Sequence, residues 1–313
     1  MKDNQVDKDK VRLFLALTFS LSWLVAALVY FTDTKADGIM GSTLISLFYL
    51  MSPAIAAFSV QRLMYGENLQ TCGFCFFKNK TRWYFIIPAL FILIYALMFG
   101  IINLLGIQFH LSQFGMVNLS GEVMIDKMLA SMPEIPPGLV ATMKQSSAQM
   151  SGTSLLISFF FGIIFRGFTL GMLFSLGEEL GWRGFLLRET QKAGFLRSSL
   201  FIGLVWGIWY IPLVLLGLYH QGHTGLGVFL MVLFTISATP ILIYIRLKMK
   251  TVLAPAALIS MLTSMIMIMP FIVDNYDETY SSIIGVAGII TTTIVSVAIF
   301  ALDKKFVKDF ENL

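Results

Sequence analysis

The sequence predicts an all-α polytopic membrane protein: about eight transmembrane helices around a polar intramembrane cavity, with both termini cytoplasmic. Three observations carry this. Of 313 residues, 57% are hydrophobic and 13% charged, against roughly a quarter charged in a soluble domain, and the mean hydropathy is +0.80. The apolar residues arrive in blocks of roughly 17 to 25, long enough as helices to cross a ~30 Å hydrocarbon core. Finally, Lys and Arg cluster in alternate connections, as cytoplasmic loops do.

Taken in order, apolar blocks and turn signals place spans near 12–31, 42–61, 84–105, 154–176, 198–217, 225–245, 252–272 and 282–302. With the N-terminus inside, the cytoplasmic loops hold 18 of the 22 basic residues. These are Lys2, Lys8, Lys10 and Arg12; Arg62, Lys78, Lys80 and Arg82; Arg183, Arg188, Lys192 and Arg197; Arg246, Lys248 and Lys250; and Lys304, Lys305 and Lys308. Lys35, Lys127 and Lys144 fall outside, and Arg166 falls within the fourth span. The one sizeable connection, 106–153, with Pro133, Pro136 and Pro137, reads as an outer loop bearing a surface-lying helix. Pro53, Pro212, Pro240 and Pro255 lie within spans, where proline frees carbonyls that a neighbour must satisfy. No repeat or soluble segment interrupts the chain, so 1–313 is one membrane domain.

The net charge of +4 and pI near 9.0 do not indicate nucleic acid, because no basic stripe interleaved with aromatics is present. Positive-inside charge accounts for them. The first apolar block lacks a small-residue cleavage site and is expected to remain as a span. Cys72 and Cys75 form a lone pair without a second pair or a thioredoxin-like context, and read as reduced, structural thiols.

Ionisable groups inside a span are costly and point to function. Two places qualify: Arg166, and Gly177-Glu178-Glu179-Leu180-Gly181-Trp182-Arg183-Gly184, expected at the cytoplasmic end of the fourth span. Adjacent carboxylates project about 100° apart on a helix, so one can face a cavity while the other pairs elsewhere. Arg183, four residues after Glu179, shares its helix face. Burial and the neighbouring like charge push one of the two carboxylates upward, which suits a general base, while the guanidinium holds the other ionised. A charged collar marking the membrane edge is an equally open reading of the same residues.

The stretch 177–187, Gly-Glu-Glu-Leu-Gly-Trp-Arg-Gly-Phe-Leu-Leu, resembles the first signature motif, Glu-Glu-x-x-x-Arg, of the CAAX protease and bacteriocin-processing family of intramembrane proteases. Residues 203–212 resemble its second motif, and Thr251 to Pro255 with Ser260 and Ser264 its third. The resemblance covers a motif-bearing core of about 150–270. It implies catalytic positions at Glu178, Glu179 and Arg183; Arg166 and Trp206 are additional cavity candidates. It also implies that Tyr210, Ser260 and Ser264 stand where the family has His, His and Asn.

In the family the first Glu and the histidines activate a water, directly or through a metal, and the Asn stabilises the oxyanion. Tyr and Ser have no basic form at neutral pH and are not usual zinc ligands. No cofactor is therefore expected. His220 and His223 form His-x-x-His, but a straight fifth span would carry His220 ~15 Å beyond Tyr210, so both, like His110, read as ordinary polar loop residues. Arg166 is expected to line the same cavity, pairing with Tyr210 or a carbonyl. A degenerate endopeptidase homologue in the cell membrane is the reading that follows, surrounded by membrane lipid and binding a peptide or membrane-protein partner. The alternatives are an active glutamate-dependent protease, or a bacteriocin self-immunity or sensor-regulating protein. A transporter would need an inverted repeat or paired half-helices, and neither is found.

Overall fold

A computed structural model describes residues 7–68, 73, 83–131, 136, 138, 140–142, 145 and 151–310. Cys72, Cys75, Pro133, Pro137, Lys2, Lys78, Lys80, Arg82 and Lys144 lie outside the described residues. The chain is helical almost throughout. Helix α1 (Lys8–Phe31) starts at Asp7, whose carboxylate accepts the Lys10 N–H at 3.2 Å and so satisfies one of the orphan donors of a first turn. It is followed by α2 (Ile39–Met64), α3 (Tyr84–Gln108) and α4 (Gly121–Ser131). Then come α5 (Gly152–Gly167), α6 (Leu170–Ala193), α7 (Phe195–Leu215), α8 (Thr224–Met249) and α9 (Leu253–Met267). The chain closes with α10 (Glu278–Leu302) and α11 (Lys304–Phe310).

Among the described residues, six helices are long and apolar enough to cross a membrane: α1, α2, α3, α7, α8 and α10. The bent pair α5 and α6 makes a seventh. This is a multi-pass membrane protein. The expected span at 154–176 is broken, because α5 and α6 meet at 54°. At the joint Thr169 leaves the helical region (φ −121°, ψ −119°), and its hydroxyl donates to the carbonyls of Phe165 (2.8 Å) and Arg166 (3.3 Å). That satisfies groups the break exposes. After the joint, α6 runs on to Ala193, so the helix continues past Glu178 and Glu179.

The apolar block at 252–272 occupies the shorter helix α9 and the turn after it. Fifteen residues reach only ~22 Å. Residues Leu253 to Leu262 are buried without exception, so α9 is wrapped by α5, α6, α8 and α3. Tyr95 of α3 donates to the Leu262 carbonyl at 2.7 Å, close to where α9 tightens into a last 3-10 turn.

The connection between α3 and α5 contains α4, as expected, and a two-residue strand β1 (Met116–Val117). It pairs antiparallel with β2 (Val273–Asp274), in register Met116 with Asp274. Lys127 bridges to Asp274 at 2.6 Å, and Asn118 donates to the same carboxylate at 2.7 Å. Burial works against the Asp274 charge, but these two donors outweigh it and hold the carboxyl below its ordinary value. At the other end of the bundle Glu67 takes hydrogen bonds from Lys10 and from Arg188 (3.0 Å), Lys10 first among them in keeping its carboxyl low. Side-chain ties between distant segments thus close both ends.

Candidate functional site

Regular α-helix in α6 ends at Glu179, and Leu180–Leu186 continue as a π-helical turn, an arrangement often found at functional positions. Gly181 makes room for it: a Cβ there would lie 2.3 Å from the Pro53 Cβ and 2.9 Å from the Pro53 carbonyl. The motif helix therefore lies directly on the backbone of α2.

Glu178 is 6% exposed. Its Oε2 accepts the Trp206 indole N–H at 2.8 Å and the Tyr210 hydroxyl at 3.0 Å, the latter also lying 3.1 Å from Oε1. Glu179 and Arg183 are fully buried and form an ion pair, Nη1 to Oε1, at 2.9 Å. Arg183 also donates from Nη2 to the Thr239 hydroxyl at 3.1 Å, and its guanidinium lies 4.0 Å over the Trp206 ring. Trp206 thus joins the two halves, its edge on Glu178 and its face on Arg183.

Tyr210 is placed by a break in α7. Pro212 offers no N–H and Leu213 N–H bonds to the Tyr210 carbonyl at 3.0 Å, leaving the Trp209 carbonyl for the Tyr49 hydroxyl of α2. Trp209 donates its own N–H to Ser22 of α1 at 2.9 Å. The rings of Tyr49, Trp182 and Tyr210 pack around Trp209 at 4.7, 5.7 and 5.0 Å. Tyr219 closes the layer, 5.9 Å from Tyr210. Desolvation in this contact pushes the Tyr219 phenol above its ordinary value, and the Glu178 carboxylate adds to it.

The third-motif serines sit elsewhere. Ser264 accepts a 2.6 Å hydrogen bond from Arg166, while the Ser260 hydroxyl lies against Gly171, where a Cβ would approach it to 2.1 Å. Gly171 is seven residues, about two turns or ~10 Å of helix, before Glu178. Two polar clusters therefore share the α6 surface: Glu178 with Trp206 and Tyr210, and Arg166 with Ser264 beside Ser260. Arg166 pairs with Ser264, not with Tyr210 or a carbonyl as expected, because α5 ends against α9 rather than against α7.

The structure brings neither His220 nor His223 into contact with Glu178 among the described residues, but His220 is not an ordinary polar loop residue. After Tyr210 the chain turns back instead of running straight, through Gly217 (φ +75°) and His220 (φ +52°). His220 is buried, 1% exposed, with neither ring nitrogen hydrogen-bonded among the described residues, and its backbone N–H donates to Glu278. Burial drives its imidazole down to about 4. His223 stays half-exposed, 3.9 Å from Asp277. Sequence reasoning missed Tyr49, Tyr219 and Thr239. Only Thr239, a hydroxyl preceding a proline inside a span, carried a signal.

Both hydrogen-bond partners of Glu178 are donors, and among the described residues no group of three or more His, Cys, Asp or Glu is placed to hold a metal ion. The arrangement holds a buried carboxylate among aromatic side chains beside a separately neutralised ion pair. A phenol, with an ordinary pKa near 10, donates to that carboxylate and does not take a proton from water at neutral pH.

Fold and site together define a multi-pass membrane protein with a buried glutamate centre. Residues 154–266 match the family model described as type II CAAX prenyl endopeptidase Rce1-like, so this part of the chain, α5 to α9, is similar to that family and bears out the resemblance drawn from the motifs. Every residue of both polar clusters falls inside it. No curated protein matches the chain significantly.

Proposed function

We propose that the protein is a CAAX-endopeptidase-like homologue that has lost turnover and uses the Glu178 pocket to bind a peptide or a membrane-protein partner. The observation that carries this is the occupancy of Glu178. Both oxygens are engaged by Tyr210, one also by Trp206, and Tyr210 replaces the imidazole that would relay a proton. A general base must reach the proton it removes and hold a partner able to pass it on. Here the neighbours supply only donors. Ser264, at the position of the family's Asn, accepts a hydrogen bond from Arg166 and so belongs to the second polar cluster.

The intact Glu179–Arg183 pair beside an intramembrane carboxylate favours the second reading, an active glutamate-dependent protease in the cell membrane with both termini cytoplasmic. Purified full-length protein in phosphatidylcholine vesicles, given a fluorogenic model peptide with a lipidated cysteine, separates the two. The proposal expects cleavage no faster than that of Glu178→Ala. Turnover that Glu178→Ala abolishes refutes it and establishes the protease.

A further inference from the structure

A cavity lies away from the carboxylates, at the end of the bundle where α1 begins. It measures about 490 Å³ and opens between α1 and α7 over the last turn of α6, within the size range of small-ligand sites. On α1, Lys8, Arg12 and Leu15 line it; on α7, Arg197 and Phe201 do. The α1 residues recur at spacings of three and four, which puts them on one helix face, and Arg197 and Phe201 share a face in the same way. Its floor is closed by Ser198, whose hydroxyl donates to the Thr190 carbonyl at 2.7 Å.

The chemistry is divided. The walls are apolar, and the exposed Leu200 and Leu204 continue the α7 side along the helix. Three cations belong to the same cavity, all exposed. Among the described residues Asp9 tempers them, 3.4 Å from Arg12, both largely in solvent, where such a pair is weak. An apolar slot between two helices with a cationic rim at one end matches one class of ligand, an acyl chain joined to an anionic head. We infer that this cavity binds an anionic glycerophospholipid, its phosphate held by Lys8, Arg12 and Arg197 and a chain lying between α1 and α7. The site is independent of the carboxylate pocket and of whether the protein cuts anything.

The test is native mass spectrometry of the full-length protein released from nanodiscs of equal phosphatidylglycerol and phosphatidylcholine. The wild type is expected to retain phosphatidylglycerol at least fivefold over phosphatidylcholine, and each cation removed lowers that ratio about fivefold at most (~1 kcal/mol). Lys8→Gln/Arg197→Gln brings the ratio near one, while Lys304→Gln/Lys305→Gln, the same charge change elsewhere, leaves it alone. If the double variant does not fold, Arg197→Gln alone, at an exposed position, carries the comparison. Equal retention of both lipids by the wild type overturns the inference, as does an equal loss in the Lys304/Lys305 control. Displacement of the lipid by soluble glycerol phosphate at matching concentration also overturns it, by making the site a free-phosphate site.

Discussion

Arg183→Met gives the sharpest test of the site's architecture. The guanidinium makes three contacts: 2.9 Å to Glu179, 3.1 Å to Thr239 and 4.0 Å to the Trp206 face. Both charges of the pair have 0% of their side chains exposed, so removing one leaves the other buried without a counter-charge, at a cost of about 3–5 kcal/mol. Glu179→Gln strands the guanidinium and costs a similar amount. In Glu179→Gln/Arg183→Met no charge is left behind, and the loss reduces to the Thr239 bond and the ring contact, about 1 kcal/mol each. The double variant is therefore expected near 2 kcal/mol below wild type, well above either single variant. Equilibrium unfolding of detergent-solubilised protein by SDS titration at pH 7, run on all four proteins, gives the cycle. Penalties that simply add, within about 0.5 kcal/mol, refute the buried pair.

Tyr210→Phe deletes the hydroxyl shared by both Glu178 oxygens and should destabilise by about 1.5–3 kcal/mol if the carboxylate is ionised; the same titration reads it, and no loss means the contact is not formed. Gly181→Ala drives a methyl into the Pro53 backbone and should cost about 1–3 kcal/mol, whereas a neutral result disproves the close approach of α6 and α2. His220 titrates at about 4 in the fold, below its unfolded value near 6.5. Between those values the unfolded chain binds the extra proton, so stability rises with pH across pH 4 to 6.5, by at most about 1.4 kcal/mol per unit, and its share is flat outside that window. Thermal unfolding across pH 4 to 7.5 should show a shallower slope in His220→Phe than in wild type; identical slopes count against the buried neutral imidazole.

How much of this was legible in the sequence depended on distance along the chain. Glu179 with Arg183 could be paired on paper because four residues is a helical repeat, and it survives into the wider π-turn. Arg166 with Ser264 could not, because 98 residues separate them and only the packing of α5 on α9 decides the partner. The joint at Thr169 was hidden because its neighbours are as apolar as any span; what breaks the helix is a backbone torsion, to which hydropathy is blind. Helix α9 was read as another span for the same reason, since a core helix and a lipid-facing one are composed alike. The burial of His220 was not legible either, because it depends on the turn through Gly217 and His220 itself packing against the start of α10.

Trp206 also limits how the protein can move. One rigid ring is fastened at its edge to Glu178 and at its face to Arg183, so α6 and α7 are pinned at two points about a turn apart. Sliding α7 by a single residue, ~1.5 Å, would break the indole hydrogen bond and unseat the guanidinium at once. The two helices therefore travel as one body. Any opening that admits a partner to the carboxylate has to come from what surrounds them: the tyrosine-bearing turn after α7, or the bent joint where α5 meets α6.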